Sequence, residues 1–363
     1  MLQLAFFVFW LFLAVVRAED LDPDSTFTLG NESETAESYQ APSNLWQPKV
    51  GERWQIILNS TILLHVPLEP QNVKIWEIDL FDTPKTTIDA LHDVGVKVIC
   101  YFSGGTAEDW RPDYASFKTE DKGACLPRWV GERYIDVRKQ GIFDVIKARI
   151  KLAKEKGCDA IDPDNIDVFS ANGGGFRPRI SKRDTVAYFR RLAREAAAQG
   201  ISTGLKNAQS MLEDVWADIQ FAVNEECSSE RDCNIYRNFL SPRRTSGRNG
   251  RGGTQRIGKP VFHIEYTAES MAGGPVRREI DTENDNAAPA TRRQCLARNR
   301  LGDLFSTTIK KVNLDGWVEY CDGYVAETQL EKGLVIKGLA NECKGNGGQS
   351  KEVTTEVFNI TKS

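Results

Sequence analysis

Residues 142–164, Ile-Phe-Asp-Val-Ile-Lys-Ala-Arg-Ile-Lys-Leu-Ala-Lys-Glu-Lys-Gly-Cys-Asp-Ala-Ile-Asp-Pro-Asp, contain one complete helix-to-strand unit. Ile142, Val145, Ile146, Ile150 and Ala153 recur three and four apart, which predicts a helix with one apolar face, and Gly157 marks its stop. The short run from Ala160 to Pro163 reads as a buried strand that ends on carboxylates. Tyr188, Leu192 and Ala196 repeat the helical spacing before Gly200. Working outward, further strands are predicted at Trp54 to Leu58, Lys74 to Leu80, Lys97 to Phe102, Ser202 to Leu205, Ile219 to Val223, Pro260 to Ile264 and Leu314 to Val318. Eight alternating units predict an α/β fold, a (β/α)8 TIM barrel that forms a single domain over residues 44–343 with flexible tails. A doubly wound open sheet would normally carry a Gly-rich phosphate turn after its first strand, and neither that fingerprint nor a P-loop is present.

Composition narrows the partners. With 47 Lys+Arg against 51 Asp+Glu the 363-residue chain has a net charge of -4, which gives no basic face for nucleic acid. His65, His92 and His263 are isolated in sequence, and the carboxylate pairs lack EF-hand spacing, so neither a metal nor a cofactor is expected. The apolar run Leu4 to Val16 spans about thirteen residues, short of the roughly 20 that cross a bilayer, and predicts a signal peptide over residues 1–18. Residues 19–43 and 344–363 are polar and are expected to be a linker and a tail. Sequons at Asn31, Asn59 and Asn359 suit that secretory route. The expectation is a secreted, extracellular monomer with no stable membrane span after signal cleavage. Residues 241–258, with five Arg among Gly, Ser, Thr and Asn, should be a solvated basic insertion, and Met271 to Thr291 a second long loop.

In a barrel the chemistry lies at the C-terminal ends of the strands. The residues there are Asp79 and Asp82, Tyr101 and Ser103, Asp162 and Asp164, Lys206 and Asn207, Glu225 and Glu226, Glu265 and Tyr266. Asp162 and Asp164 are two apart on a strand and so point the same way. Burial of such carboxylates raises at least one pKa, which suits a general acid beside an ionised partner. Glu225 and Glu226 repeat the arrangement two strands later. Two carboxylates on different strands can flank one glycosidic bond, about 5 Å apart for retention and roughly 6.5 to 9.5 Å for inversion. Tyr101 and Tyr266 at strand ends can stack on a sugar ring. No G-x-S-x-G elbow is present to support a serine hydrolase. A carbohydrate-binding barrel without catalysis is the competing reading.

The ordered motifs carry a resemblance. Trp76-Glu77-Ile78-Asp79-Leu80-Phe81-Asp82, then Tyr101-Phe102-Ser103-Gly104-Gly105 with Glu108 and Trp110-Arg111, resembles the start of the glycoside hydrolase family 114 barrel. Asp162-Pro163-Asp164-Asn165, Gly204-Leu205-Lys206-Asn207, Asn224-Glu225-Glu226-Cys227 and His263-Ile264-Glu265-Tyr266 continue the likeness in order. The resemblance implies a fungal-type secreted glycosidase of the endo-α-1,4-polygalactosaminidase or α-galactosidase kind, acting on a galactose- or galactosamine-containing polysaccharide. It implies Asp164 or Asp162 as nucleophile and Glu225 or Glu226 as general acid/base. Asp79, Asp82, Tyr101, Lys206, Asn207, Glu265 and Tyr266 would bind or orient the sugar.

Of the eight cysteines, Cys227 and Cys233 can close a short loop after a catalytic strand, and Cys295 with Cys321 is the second expected bridge. Cys125, Cys158 and Cys343 have no pairing that the sequence settles. Cys100, inside an apolar strand, is expected to be buried and free.

Overall fold

The computed structural model describes residues 39–65, 67–127, 129, 131–242, 256–267, 295, 302–331 and 343. The expected signal peptide, most of the linker and of the basic insertion, the 271–291 loop, the 344–363 tail, Asn31 and Asn359 lie outside these residues.

In chain order the elements are β1 (Trp54–Ile57), β2 (Ile75–Asp79), α1 (Lys85–Asp93), β3 (Lys97–Ser103), β4 (Thr106–Glu108), β5 (Lys122–Cys125) and β6 (Glu132–Ile135). There follow α2 (Gln140–Lys156), β7 (Ala160–Asp164), α3 (Lys182–Ala198), β8 (Ser202–Lys206), β9 (Phe221–Glu225), α4 (Cys227–Glu230) and α5 (Arg237–Leu240). The last are β10 (Val261–Tyr266), β11 (Ser306–Lys310), β12 (Trp317–Tyr320) and β13 (Val325–Glu327). One sheet runs β1-β2-β3-β7-β8-β9-β10-β11-β12-β13 and a small antiparallel one runs β4-β6-β5. The first eight strands of the large sheet pair in parallel, each beside the next in chain order.

The sheet curls until β1 comes beside β11 and β12. The Trp54 indole donates to Ser306 O at 2.8 Å, Lys310 Nζ to Gln55 Oε1 at 2.9 Å, and the Tyr320 hydroxyl to Trp54 O at 3.0 Å. The concave face holds Trp54, Ile56, Ile75, Ile99, Phe221 and Phe262, packed as one buried cluster. Gly204 is needed here, because a Cβ would lie 2.2 Å from the Phe221 ring. The outer face buries Trp76, Ile78, Val98, Phe102 and Leu205 in the same cluster as the apolar stripes of α1, α2 and α3. α2 ends at Gly157 in the left-handed region, as its sequence predicts, and α3 starts from a Ser181/Asp184 capping box.

Two expectations are corrected. The eighth parallel strand is β11, not Leu314 to Val318: Leu314 lies in a turn at φ 49°, and β12 returns antiparallel from Trp317. Ser306-Thr307-Thr308-Ile309-Lys310 lacks the apolar run that marks a buried strand because it directs polar side chains inward. Cys100 is not free but bonded to Cys158, which follows α2 beside β3. Cys125–Cys343, Cys227–Cys233 and Cys295–Cys321 complete the set, so all eight cysteines are oxidised.

Candidate active site

Alternation along the strands sets the chemistry of the concave face. Every second residue points inward, so β2 presents Ile75, Glu77 and Asp79, β7 Ala160, Asp162 and Asp164, and β9 Phe221, Val223 and Glu225. Each series begins apolar and becomes charged towards the C-terminal end. β8 contributes Lys206, which is 2% exposed at the side chain. Its ammonium stands 3.8 Å from Asp162 Oδ2, 4.0 Å from Asp164 Oδ2 and 3.8 Å from Glu225 Oε2. Sharing that cation bounds the separation of the Asp164 and Glu225 oxygens at about 8 Å, which a two-carboxylate glycosidase mechanism allows.

Further donors hold both carboxylates. The Tyr101 hydroxyl donates to Asp164 Oδ2 at 3.0 Å and the Asn165 N–H to Oδ1 at 2.8 Å. Glu225 accepts from the Tyr266 hydroxyl on one oxygen and from Asn207 Nδ2 at 2.9 Å on the other. Asn165, Asn207 and Glu226, which directly follow Asp164, Lys206 and Glu225, all have positive φ (58°, 49° and 63°). Asn tolerates that region and Glu does not favour it, so Glu226 carries backbone strain at the edge of the site. The turn lets Glu226 O accept from the Glu230 N–H at 2.8 Å and start α4.

The protonation landscape is uneven. Burial pushes the Asp164 carboxyl up, with Lys206 opposing and Glu225 adding to the rise. Burial also acts on Glu225, but Lys206 and the hydrogen bonds from Tyr266 and Asn207 outweigh it and hold the group below its ordinary range. Desolvation alone would lower the Lys206 ammonium, and Asp164, Glu225 and Asp162 together hold it above its usual value. Beneath them Asp162 is fully buried and burial raises its pKa.

The other expected site residues have different partners. Asp79 accepts both ends of the Arg111 fork, at 3.0 and 2.5 Å, and Asp82 takes a longer 3.3 Å contact from the same guanidinium. Glu265, expected to orient the sugar, is fully buried and bonded to the Ser228 N–H, the Ser229 hydroxyl and His263. It anchors α4 behind Glu225. The Cys227–Cys233 bridge lies in the same turn. Asn59 is half-buried after β1, and Thr61 of its sequon is buried with its hydroxyl on Asp82 O. Sequence reasoning gives no role to Glu77 or to the Glu108–Arg111–Arg149 group, although period-two alternation from Asp79 already turns Glu77 inward. A cavity of about 730 Å³ beside Arg53, Glu69 and Tyr324 is lined by none of the carboxylates around Lys206.

The family model of glycoside hydrolase family GH114 matches residues 35–326. The chain belongs to that family. A crystal structure of Aspergillus fumigatus Ega3 in complex with galactosamine is 36% identical, covers 78% of this chain and 100% of its own, and superposes with a TM-score of 0.63. The glycoside hydrolase domain of PelA from Pseudomonas aeruginosa is 12% identical over 77% of this chain and 99% of its own, with a TM-score of 0.48. No curated relative matches the chain. Family membership makes the protein a glycoside hydrolase by descent.

Proposed function

We propose that this protein is a secreted glycosidase of (β/α)8-barrel form that cleaves α-1,4-galactosaminidic or α-galactosidic bonds in a polysaccharide, with Asp164 and Glu225 as the reacting carboxylates. One observation carries the reading: the two groups stand at the C-terminal ends of parallel strands and share the Lys206 ammonium. Of the Asp pair, Asp164 is the member that opens to solvent beside that cation, its side chain 19% exposed while Asp162 lies beneath at 0%, and of the Glu pair, Glu225, 26% exposed, is the one on the inward face of β9. The galactosamine complex of Ega3 supports the sugar class, and the excess of carboxylates over cations suits an amino sugar. Four disulfides support an oxidising route of export.

The donors suggest a division of roles. Asp164 is held in part by the Asn165 backbone N–H, which a substrate cannot displace, and it serves as nucleophile at the anomeric carbon. Glu225 is held ionised by Tyr266 and Asn207 side chains, which sugar hydroxyls can draw away. Losing those bonds and the surrounding water raises its pKa and lets it carry the proton that the leaving oxygen needs. The same carboxylate then takes a proton from the water that releases the product.

The test is incubation with acetylated and deacetylated α-1,4-galactosamine polymers and with α-galactosides, with product lengths read by mass spectrometry. Short oligomers from the wild type and none from Asp164→Asn support the reading. Tight polymer binding without cleavage overturns it and leaves a sugar-binding barrel.

A further inference from the structure

Glu77 lies on the floor of the same site and has no place in the mechanism above. Its side chain and that of Asp162 are both fully buried. All four of their carboxylate oxygens lack a donor among the described residues, although a buried carboxylate normally collects several. Two neighbouring anions in a dry interior repel strongly, and desolvation disfavours each separately. The groups facing them are Lys206 on β8, Asp164 on β7, Glu225 on β9 and Tyr101 on β3. Lys206 is the sole cation in that set and is already shared with Asp164 and Glu225. Tyr101 donates its proton to Asp164. Among the described residues facing them, the donor left to this pair is a carboxylic O–H of its own.

We infer that Glu77 is a permanently protonated positioning residue, whose carboxylic O–H donates to Asp162 and keeps that group as the anion beneath Lys206. The inference rests on the proposed reading of the site and assigns its floor. Burial and the Asp162 charge both raise the Glu77 pKa, and the bond from Glu77 lowers that of Asp162. The Asp162 anion then holds the lysine upright between Asp164 and Glu225. Without the Glu77 donor, Asp162 takes up the proton itself. Asp164 thereby loses a repelling neighbour and its pKa falls, while Lys206 loses one of its three tethers.

Two variants test this. Glu77→Gln keeps a neutral N–H donor, and Glu77→Leu removes it. The infrared difference spectrum between wild type and Glu77→Gln at neutral pH should show one carboxylic-acid carbonyl, shifted by deuterium exchange, that the variant lacks. Glu77→Leu should lower kcat at least tenfold with little change in KM and move the acid limb of the pH profile, set by the ionisation of Asp164, to lower pH. Glu77→Gln should restore most of kcat. An unchanged carbonyl band in Glu77→Gln, or a Glu77→Leu enzyme with the wild-type pH profile, overturns the inference. A wild type that cleaves no galactosaminide yet shows the carbonyl band retains the proton assignment and removes the glycosidase reading, so the two failures are distinguishable.

Discussion

Two buried charge clusters lie side by side in this protein and are built by opposite rules. Around Arg111 and Arg149, both nearly inaccessible, the planar forks match their partners atom for atom. Asp79 takes two bonds, Glu108 is bridged between the arginines at 3.0 and 3.4 Å, and Asp113 takes two more at 2.7 and 2.9 Å. Around Lys206 a single point charge faces three carboxylates at 3.8 to 4.0 Å, with a fourth, Glu77, behind them. Arg satisfies several acceptors in fixed directions and Lys does not. The first cluster is paired to completion and fastens the loops after β2 and β3. The second is left short of positive charge where the strands open to solvent. A deficit of that kind is costly for folding and useful for moving a proton.

Variants that break each cluster should fail in different ways. Asp164→Asn or Glu225→Gln should lower kcat/KM at least 10⁴-fold, about 5.5 kcal/mol of transition-state stabilisation, while Tm stays level or rises because a poorly compensated charge has gone. Polymer cleavage assays beside calorimetry check both halves, and a large fall in Tm with either variant would place this cluster with the structural one. Arg111→Met should do the reverse. It leaves Asp79 buried without its guanidinium and Glu108 with the longer Arg149 contact, and should cost roughly 3 to 5 kcal/mol of stability. Urea unfolding checks it, and wild-type stability in Arg111→Met would remove the contrast.

The sequence makes one cluster more legible than the other for a physical reason. Asp162, Asp164, Lys206 and Glu225 fall at inward positions near the ends of their strands, so period-two alternation by itself places them on one face. The choice of Asp164 over Asp162 depends on depth, which alternation does not encode, whereas alternation itself turns Glu225 inward and leaves Glu226 to the left-handed turn that follows β9. The Arg111 group is assembled from β2, the chain after β4 and α2, 32 and 41 residues apart in sequence for two of its contacts, and no local period links them. The fold shows the same division. The helix from Gln140 to Lys156 announces itself through its apolar stripe and Gly157. β11 does not, because its Ser, Thr and Lys face inward, and β4 to β6 are too short and mixed to stand out. Glu265 has the position of a sugar ligand at a strand end; only the long-range contact to Ser228 and Ser229 shows that it is committed to α4.

The turn carrying Glu225 has its own external support, which sharpens the comparison at a smaller scale. Cys227–Cys233 closes a loop with a sequence separation of 6, and Glu265 ties the same segment down. Replacing both cysteines with serine should cost about 2 kcal/mol of stability through the unfolded chain. It should reduce kcat more than KM, since the turn positions Glu225 rather than the bulk of the sugar. Thermal melts and steady-state kinetics on Cys227→Ser/Cys233→Ser check this, and unaltered kcat would mean that Glu265 and the strand hold the turn without the bridge.

Glu132 stands between the two clusters and offers the finest test of their separation. It is buried on β6, accepts from the Thr106 hydroxyl at 2.8 Å, and feels both Glu108 of one cluster and Asp164 of the other. Burial, then the Glu108 charge, push its carboxyl up to about 8. A folded-state pKa above the unfolded value means that the native protein binds the extra proton between the two. The associated stability is therefore complete below about pH 4.3 and is lost as pH rises towards 8, with a slope of at most about 1.4 kcal/mol per pH unit. Glu132→Gln cannot lose that proton, so its Tm should decline less than that of the wild type across the same window, and the two curves should part most on the alkaline side. Parallel Tm curves would show that Glu132 is not desolvated between the clusters. A flattened curve accompanied by an altered pH profile for cleavage would show that the completed cluster reaches the deficient one through this residue.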